Sequence, residues 1–216
     1  MKCSAVLFDL DGTLIDSAPD YFGALNELLV EQNRDPIPFV AGHTPILLSA
    51  WSLLEFGFDR TIDRTADKPL RTRLLDLYKA RMTRQTKLFA GVSEVLDALD
   101  TASTPWAIVT NKPGFLTDPL IEALGLRSRT ASVVSGDTFA VAKPHPEPIL
   151  HTCRTLGVAP ESTVMIGDSE VDIAAGRAAG TKTIATLYGY IPDNEEPASW
   201  NADVYVERAA DLLPHL

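Results

Sequence analysis

The 216-residue sequence has only two cysteines, Cys3 and Cys153, and these form no metal-type spacing. One pair cannot build a disulfide framework, so reduced packing thiols in a cytoplasmic protein are expected. No apolar run approaches the roughly 18–20 residues needed to span a bilayer. Met1-Lys2 leads straight into a short apolar stretch rather than the long core of a signal peptide. Basic charge is also scarce: 19 Lys and Arg stand against 29 Asp and Glu, a net charge of −10. That balance excludes nucleic acid and anionic membrane as expected partners, and an anionic ligand would need a local positive trap. Internal repeats and low-complexity stretches are absent. What is present is ordinary for a globular chain, 45% apolar and 22% charged residues. The length suffices for one substantial core, or a core with a smaller insert.

From Phe89 onward strand and helix patterns alternate. Trp106–Thr110, Ser132–Ser135, Thr163–Gly167, Thr183–Leu187 and Asp203–Val206 read as strands. Phe115–Leu124, Glu147–Leu156 and Val171–Ala179 read as helices, stopped by Gly125, Gly157 and Gly180, with a short final helix from Ala209. Repeated βα units with near-continuous apolar strands predict an α/β fold, a parallel sheet covered on both faces. The stretch 15–88 breaks this rhythm with helical stripes and no clear strand. Tyr21, Leu25, Leu28 and Leu29 form one stripe; Ile46, Leu47, Ala50, Trp51 and Leu54 a second; Leu70, Leu74, Leu77, Tyr78 and Met82 a third.

Chemistry-bearing residues gather at the ends of the strand patterns. Ala5-Val6-Leu7-Phe8 runs into Asp9-Leu10-Asp11-Gly12-Thr13-Leu14, and Gly12 ends the strand in a turn. Side chains alternate along a strand, so Asp9 and Asp11 point the same way from its C-terminal end. In an open α/β sheet that end is where ligands bind. Two carboxylates crowded there repel unless a cation neutralises them or their roles differ. Thr110 closes the strand at Trp106 and is followed by Asn111 and Lys112. Lys143 stands in Ala142-Lys143-Pro144-His145-Pro146-Glu147-Pro148, whose prolines give a rigid extended loop leading into a helix, with His145 exposed. Asp168 follows the apolar strand at Thr163, and Asp172 lies at a helix start, where an acid also answers the helix dipole. Within 15–88, Ala41-Gly42-His43-Thr44 pairs a free turn with two donors, His43 and Thr44. Thr44 also fits as an N-cap for a helix opened by Pro45.

Asp9–Leu14, Thr110, Lys143-Pro144 and Gly167-Asp168-Ser169-Glu170-Val171-Asp172 occur in the order found in haloacid dehalogenase-like hydrolases, and the chain resembles that family from end to end. The resemblance implies a Rossmann-like core, 1–14 and 89–216, with an inserted α-helical cap, 15–88, whose closure excludes water. It implies Asp9 as nucleophile, Asp11 as general acid/base, Thr110 as a phosphoryl ligand and Lys143 as the compensating cation. Asp9, the Asp11 carbonyl and Asp168 would hold Mg2+, with Asp172 auxiliary and Glu170 an alternative for that role. An Asp at position 11 fits a phosphatase or phosphomutase, and the Gly-Asp-Ser-x-x-Asp form favours the phosphatase over the mutase. A catalytically idle binding protein on the same fold disagrees with the filled reacting positions. Asp16-Ser17-Ala18-Pro19-Asp20 is similar to the phosphoglycolate phosphatase-like subgroup. Thr86–Gly91, Trp106–Pro113 and Leu187–Pro192 with Trp200 look closer still to the N-acetylmuramic acid 6-phosphate phosphatase branch. The expected partner is a small acidic phosphate ester, read by Asn111, Lys112, His43 and Thr44, and the expected assembly a monomer or homodimer.

Overall fold

The computed structural model describes residues 3–38, 49–192 and 195–216. The chain divides into two compact units: Met1–Asp16, Leu88–Ile191 and Glu195–Leu216 form one, and Ser17–Lys87 with Pro192–Asn194 the other. Ile15, Asp16 and Leu88 thus fall with the core and not with the insert. The reason is local. Ile15 is fully buried, and Phe89 N–H donates to the Leu14 carbonyl at 3.1 Å, which stitches the return of the chain to its departure.

In chain order the strands are β1 (Ala5–Phe8), β2 (Ile15–Asp16), β3 (Lys87–Leu88), β4 (Trp106–Val109), β5 (Ser132–Val134), β6 (Thr163–Gly167), β7 (Lys182–Thr186) and β8 (Val204–Val206). The core sheet has the order β5-β4-β1-β6-β7-β8, and its neighbours pair in parallel. This is the α/β, Rossmann-like sheet that the alternating pattern demands. β1 is flanked by β4, which pairs Phe8 with Ile108, and by β6, which pairs Phe8 with Ile166. The strand order reverses around β1, so its C-terminal end is the crevice where such sheets bind ligands.

The helices are α1 (Ala18–Glu31), α2 (Ala50–Phe58), α3 (Lys68–Lys79), α4 (Val92–Thr101), α5 (Gly114–Ala123), α6 (Glu147–Leu156) and α7 (Glu170–Ala179). Leu7, Ala107, Val109, Val134 and Met165 pack with Ile149 and Cys153 of α6 and Ala175 and Ala179 of α7, which closes one face. Residues of opposite parity, including Phe8 and Trp106, meet edge to face at 6.2 Å. Both cysteines are free thiols, and Cys153 belongs to this packing. α6 and α7 end at Gly157 and Gly180 in left-handed C-caps, as the sequence signals require. The short final helix, Ala209–His215, is of the 3₁₀ type. α4 carries its own buried stripe of Val92, Val95, Leu96 and Leu99.

The other unit is helical. α1 buries Phe22, Leu25, Leu28 and Leu29, α2 buries Leu53, Leu54 and Phe58, and α3 buries Leu74, Leu75, Leu77 and Tyr78. Tyr21 stacks on Tyr78 at 3.6 Å between ring centroids. α2 starts at Ser49, whose side chain accepts from Ser52 N–H at 3.1 Å. Gly42, His43, Thr44, Pro45, Ile46 and Leu47 lie outside the described residues. No helix among the described residues is long and apolar enough to cross a membrane.

Candidate active site

The loops after β1, β4, β5 and β6 bring Asp9, Asp11, Thr110, Asn111, Lys112, Lys143, Asp168 and Asp172 to one end of the sheet, and these eight residues belong to the core unit, whereas His43 and Thr44 lie outside the described residues. β1 places Asp9 at its tip, where the Asp9 N–H donates to the Ile166 carbonyl at 2.9 Å. The Lys143 ammonium reaches Asp9 Oδ1 at 2.7 Å, Asp172 Oδ1 at 2.6 Å and the Val109 carbonyl at 2.6 Å, so all three of its hydrogens have acceptors. Its side chain is 2% exposed. Asp172 Oδ2 in turn accepts from the Ser169 hydroxyl at 2.6 Å and completes a capping box at the start of α7. Asp172 is therefore the counter-ion that holds Lys143 and also a helix-capping residue. Glu170 is exposed one turn-position earlier and lies outside this cluster.

Asp168 is oriented from both sides. Thr13 Oγ1 donates to its Oδ1 at 2.9 Å, and Tyr190 N–H donates to its Oδ2 at 2.7 Å. Gly12, at φ +85°, passes so close that a Cβ there would lie 2.0 Å from Asp168 Oδ2. Neither Thr13 nor Tyr190 stood out in the sequence as a site residue. The signal for Thr13 was its place beside Gly12 in the strand-end turn, whereas Tyr190 acts through its main chain and left none.

Lys112, with its side chain 1% exposed, donates to both Asp11 oxygens at 3.0 Å. Its N–H donates to Thr110 Oγ1 at 3.2 Å, and Thr110 N–H pairs with the Val134 carbonyl at 2.9 Å. Asn111 exchanges two bonds with the main chain of Lys143, its Nδ2 donating to the carbonyl at 2.9 Å and its Oδ1 accepting the amide at 3.0 Å. Asn111 thus fastens the Lys143 loop to the end of β4. His145 is exposed.

Burial pushes Asp9 up to about 6 against the pull of Lys143, with Asp172 and Asp11 pushing the same way. Burial, then the charges of Asp172 and Asp9, raise Asp168 well above its ordinary value, against the bonds from Tyr190 and Thr13. Burial alone would depress Lys143, but Asp172 and Asp9 overcome it and hold it above an ordinary lysine. The site therefore holds more negative charge than its lysine neutralises. Carboxylate oxygens of Asp9, Asp168 and Asp172 can be chosen within 4.8 Å of one another. This all-oxygen donor set suits a hard divalent cation such as Mg2+, with Asp172 the least available because Lys143 and Ser169 already occupy it.

A family model for haloacid dehalogenase-like hydrolases matches residues 6–186. The chain belongs to that family. Over 98% of its length this hydrolase is 41% identical to the phosphoglycolate phosphatase of Xylella fastidiosa (strain 9a5c), covering 90% of that protein. It is 36% identical over 99% of its length to the N-acetylmuramic acid 6-phosphate phosphatase of Pseudomonas aeruginosa (strain PAO1), covering 94% of it. The crystal structure of a predicted phosphoglycolate phosphatase from Haemophilus somnus 129PT superposes with a TM-score of 0.86 at 25% identity, covering 100% of this chain and 98% of that one. With phosphatases as full-length relatives, the hydrolase is a phosphoric monoester hydrolase.

Proposed function

We propose that the chain is a Mg2+-dependent phosphatase of the phosphoglycolate type, acting on small acidic phosphate esters through an aspartyl-phosphate. The observation that carries this reading is the Asp9–Lys143 contact: a buried carboxylate at the strand tip with an ammonium 2.7 Å from one oxygen. Asp9 Oδ2 attacks phosphorus while Lys143 holds Oδ1, and the ester P–O bond breaks. Asp11 gives a proton to the departing alkoxide, then takes one from the water that cleaves the Asp9–phosphorus linkage and releases phosphate. The Thr110 hydroxyl accepts from Lys112 N–H and keeps its own hydrogen to donate to a phosphoryl oxygen. Asp9, Asp168 and the Asp11 main-chain carbonyl would hold Mg2+, which when bound offsets the charge of carboxylates and phosphoryl group.

The substrate reading rests on the relatives, two of which are named for esters that carry a carboxylate. A substrate carboxylate seeking Lys112 must compete with Asp11, which occupies its ammonium through both oxygens. The second reading, N-acetylmuramic acid 6-phosphate, is favoured by the 36% identity over 99% of the chain. Assay of p-nitrophenyl phosphate, 2-phosphoglycolate and N-acetylmuramic acid 6-phosphate, with Mg2+ and with EDTA, tests both. We expect EDTA to abolish turnover. The two acidic esters should differ more than about tenfold in kcat/KM, or about 1.4 kcal/mol, with 2-phosphoglycolate ahead. Faster turnover of an uncharged sugar phosphate or a nucleotide would overturn the substrate class and leave the chemistry standing.

A further inference from the structure

Leu187-Tyr188-Gly189-Tyr190-Ile191 follows β7 and contributes no reacting group to phosphoryl transfer, yet it touches the site at several points. Its ends are anchored in the core: Leu187 N–H donates to the Val206 carbonyl at 2.7 Å, and Ile191 packs against Ile173, Ala185 and Trp200. Between them Tyr188 Oη donates to the Thr13 carbonyl at 3.0 Å and Tyr190 Oη to Asp16 Oδ1 at 2.9 Å. Phe89 braces both rings edge to face, at 5.3 Å and 6.1 Å between centroids. Gly189 runs against the acid itself. A Cβ there would lie 2.3 Å from Asp168 Cβ and 2.4 Å from the Gly12 carbonyl oxygen.

We propose that Tyr188-Gly189-Tyr190 is a positioning strap that fixes the direction of the Asp168 carboxylate, and hence the affinity of the site for its divalent cation. A carboxylate on a strand-end loop can rotate about its last bond. Here one oxygen is held by the Thr13 hydroxyl at 2.9 Å and the other by the Tyr190 amide at 2.7 Å. A main-chain amide cannot swing away as a side chain can, so its position sets the carboxylate plane and the lone pairs left for a cation. What sets that amide is the strap: Gly189 allows the close approach, and the two tyrosine hydroxyls moor it to Thr13 and Asp16, on the segment that follows the nucleophile. The β1 loop and the β6 loop are thereby tied into one unit around Asp168. This inference rests on the reading of Asp168 as a metal ligand.

Mn2+ is a suitable probe, because it favours the same carboxylate oxygens and its free form is counted by its EPR signal. Wild type, Asp168→Ala, Gly189→Ala and the double variant Tyr188→Phe/Tyr190→Phe are titrated without substrate, with folding checked by circular dichroism and thermal melting. Orienting partners of metal ligands contribute about 10–100-fold in affinity. We expect a loss in that range for Gly189→Ala and a loss of about tenfold for the double variant. A strap that only stabilised the fold would lower Tm and leave the Mn2+ affinity of the folded protein unchanged, which overturns the proposal. Should Gly189→Ala fail to fold, the double variant alone decides. Wild-type protein that binds no Mn2+, or Asp168→Ala that binds as tightly as wild type, removes the metal reading and the strap with it. Loss confined to Asp168→Ala removes the strap alone.

Discussion

In the core unit Asp9, Asp168 and Asp172 lie buried at one end of the sheet, and a single ammonium, Lys143, touches two of them. In the cap unit the fully buried Asp20 is treated differently. Its Oδ2 accepts from Gln85 N–H at 2.9 Å, Thr86 N–H at 2.8 Å and the Thr86 hydroxyl at 2.8 Å, and Arg81 Nε stands 3.8 Å from Oδ1. One oxygen there answers three donors of its own unit, while Oδ1 is buried without a hydrogen-bond partner. In the core three buried carboxylates share the one ammonium of Lys143, and burial raises Asp9 to about 6. A single buried charge held by main-chain donors is a folding device, whereas a surplus of buried charge is tolerated where chemistry needs it.

Three substitutions sharpen this contrast, and the largest effect belongs to Asp9→Asn. Turnover should fall by about 10⁴-fold or more, since an amide cannot attack phosphorus. The metal-free protein should nonetheless melt a few degrees higher than wild type at pH 7.5. The sign follows from the raised pKa. A carboxylate whose folded pKa exceeds its unfolded value favours the fold only below the unfolded value, and that advantage disappears as pH rises through about 6. The melting gap should therefore close below about pH 4. Equal melting at both pH values would show that burial does not raise Asp9.

Lys143→Met comes second. It withdraws the ammonium from Asp9 and Asp172 together, and breaking such a buried pair costs about 3–5 kcal/mol, measured by urea unfolding. Adding Asp9→Asn should recover part of the loss, because one stranded charge disappears. Asp20→Ala should disturb the core site least of the three. It orphans two main-chain donors and one hydroxyl, each worth about 1–3 kcal/mol if left without water. Stability should drop while Mn2+ affinity stays at the wild-type value. A fall in affinity matching that of Asp168→Ala would erase the distinction between the two units.

The site was legible in the sequence wherever its logic is local. Asp9 and Asp11 follow an apolar strand at a spacing that turns both to one side, and Asp168 repeats the device on β6. The proline-flanked Lys143 loop was equally plain. Asn111 was legible only as a turn residue or a possible substrate reader, and its bonds to the Lys143 main chain depend on a partner 32 positions away. Asp172 read as a helix-start acid, which it is, but its bond to Lys143 needed the fold. The strap was legible only by resemblance, through Leu187–Pro192 and Trp200, because a main-chain amide and a glycine's missing side chain carry no pattern. In the cap the apolar stripes at Leu25, Leu28, Leu29 and Leu74, Leu77, Tyr78 were readable from helical period alone, whereas Asp20 meets Thr86 only across 66 positions.

The order of strands also governs how the protein emerges during synthesis. β1 is made well before one of its two neighbours, β6, which begins only at Thr163. The bond from Thr13 to Asp168 spans 155 residues. A nascent chain that ends before Thr163 therefore has Asp9 with neither Asp168 nor Asp172, and one of the two edges of the central strand has no native partner. Long-range parallel pairing of this kind forms late and leaves strand edges open in the interval. The site is complete only once Asp168 and Asp172 have been translated, and the same interval is when the protein most needs protection from wrong pairing.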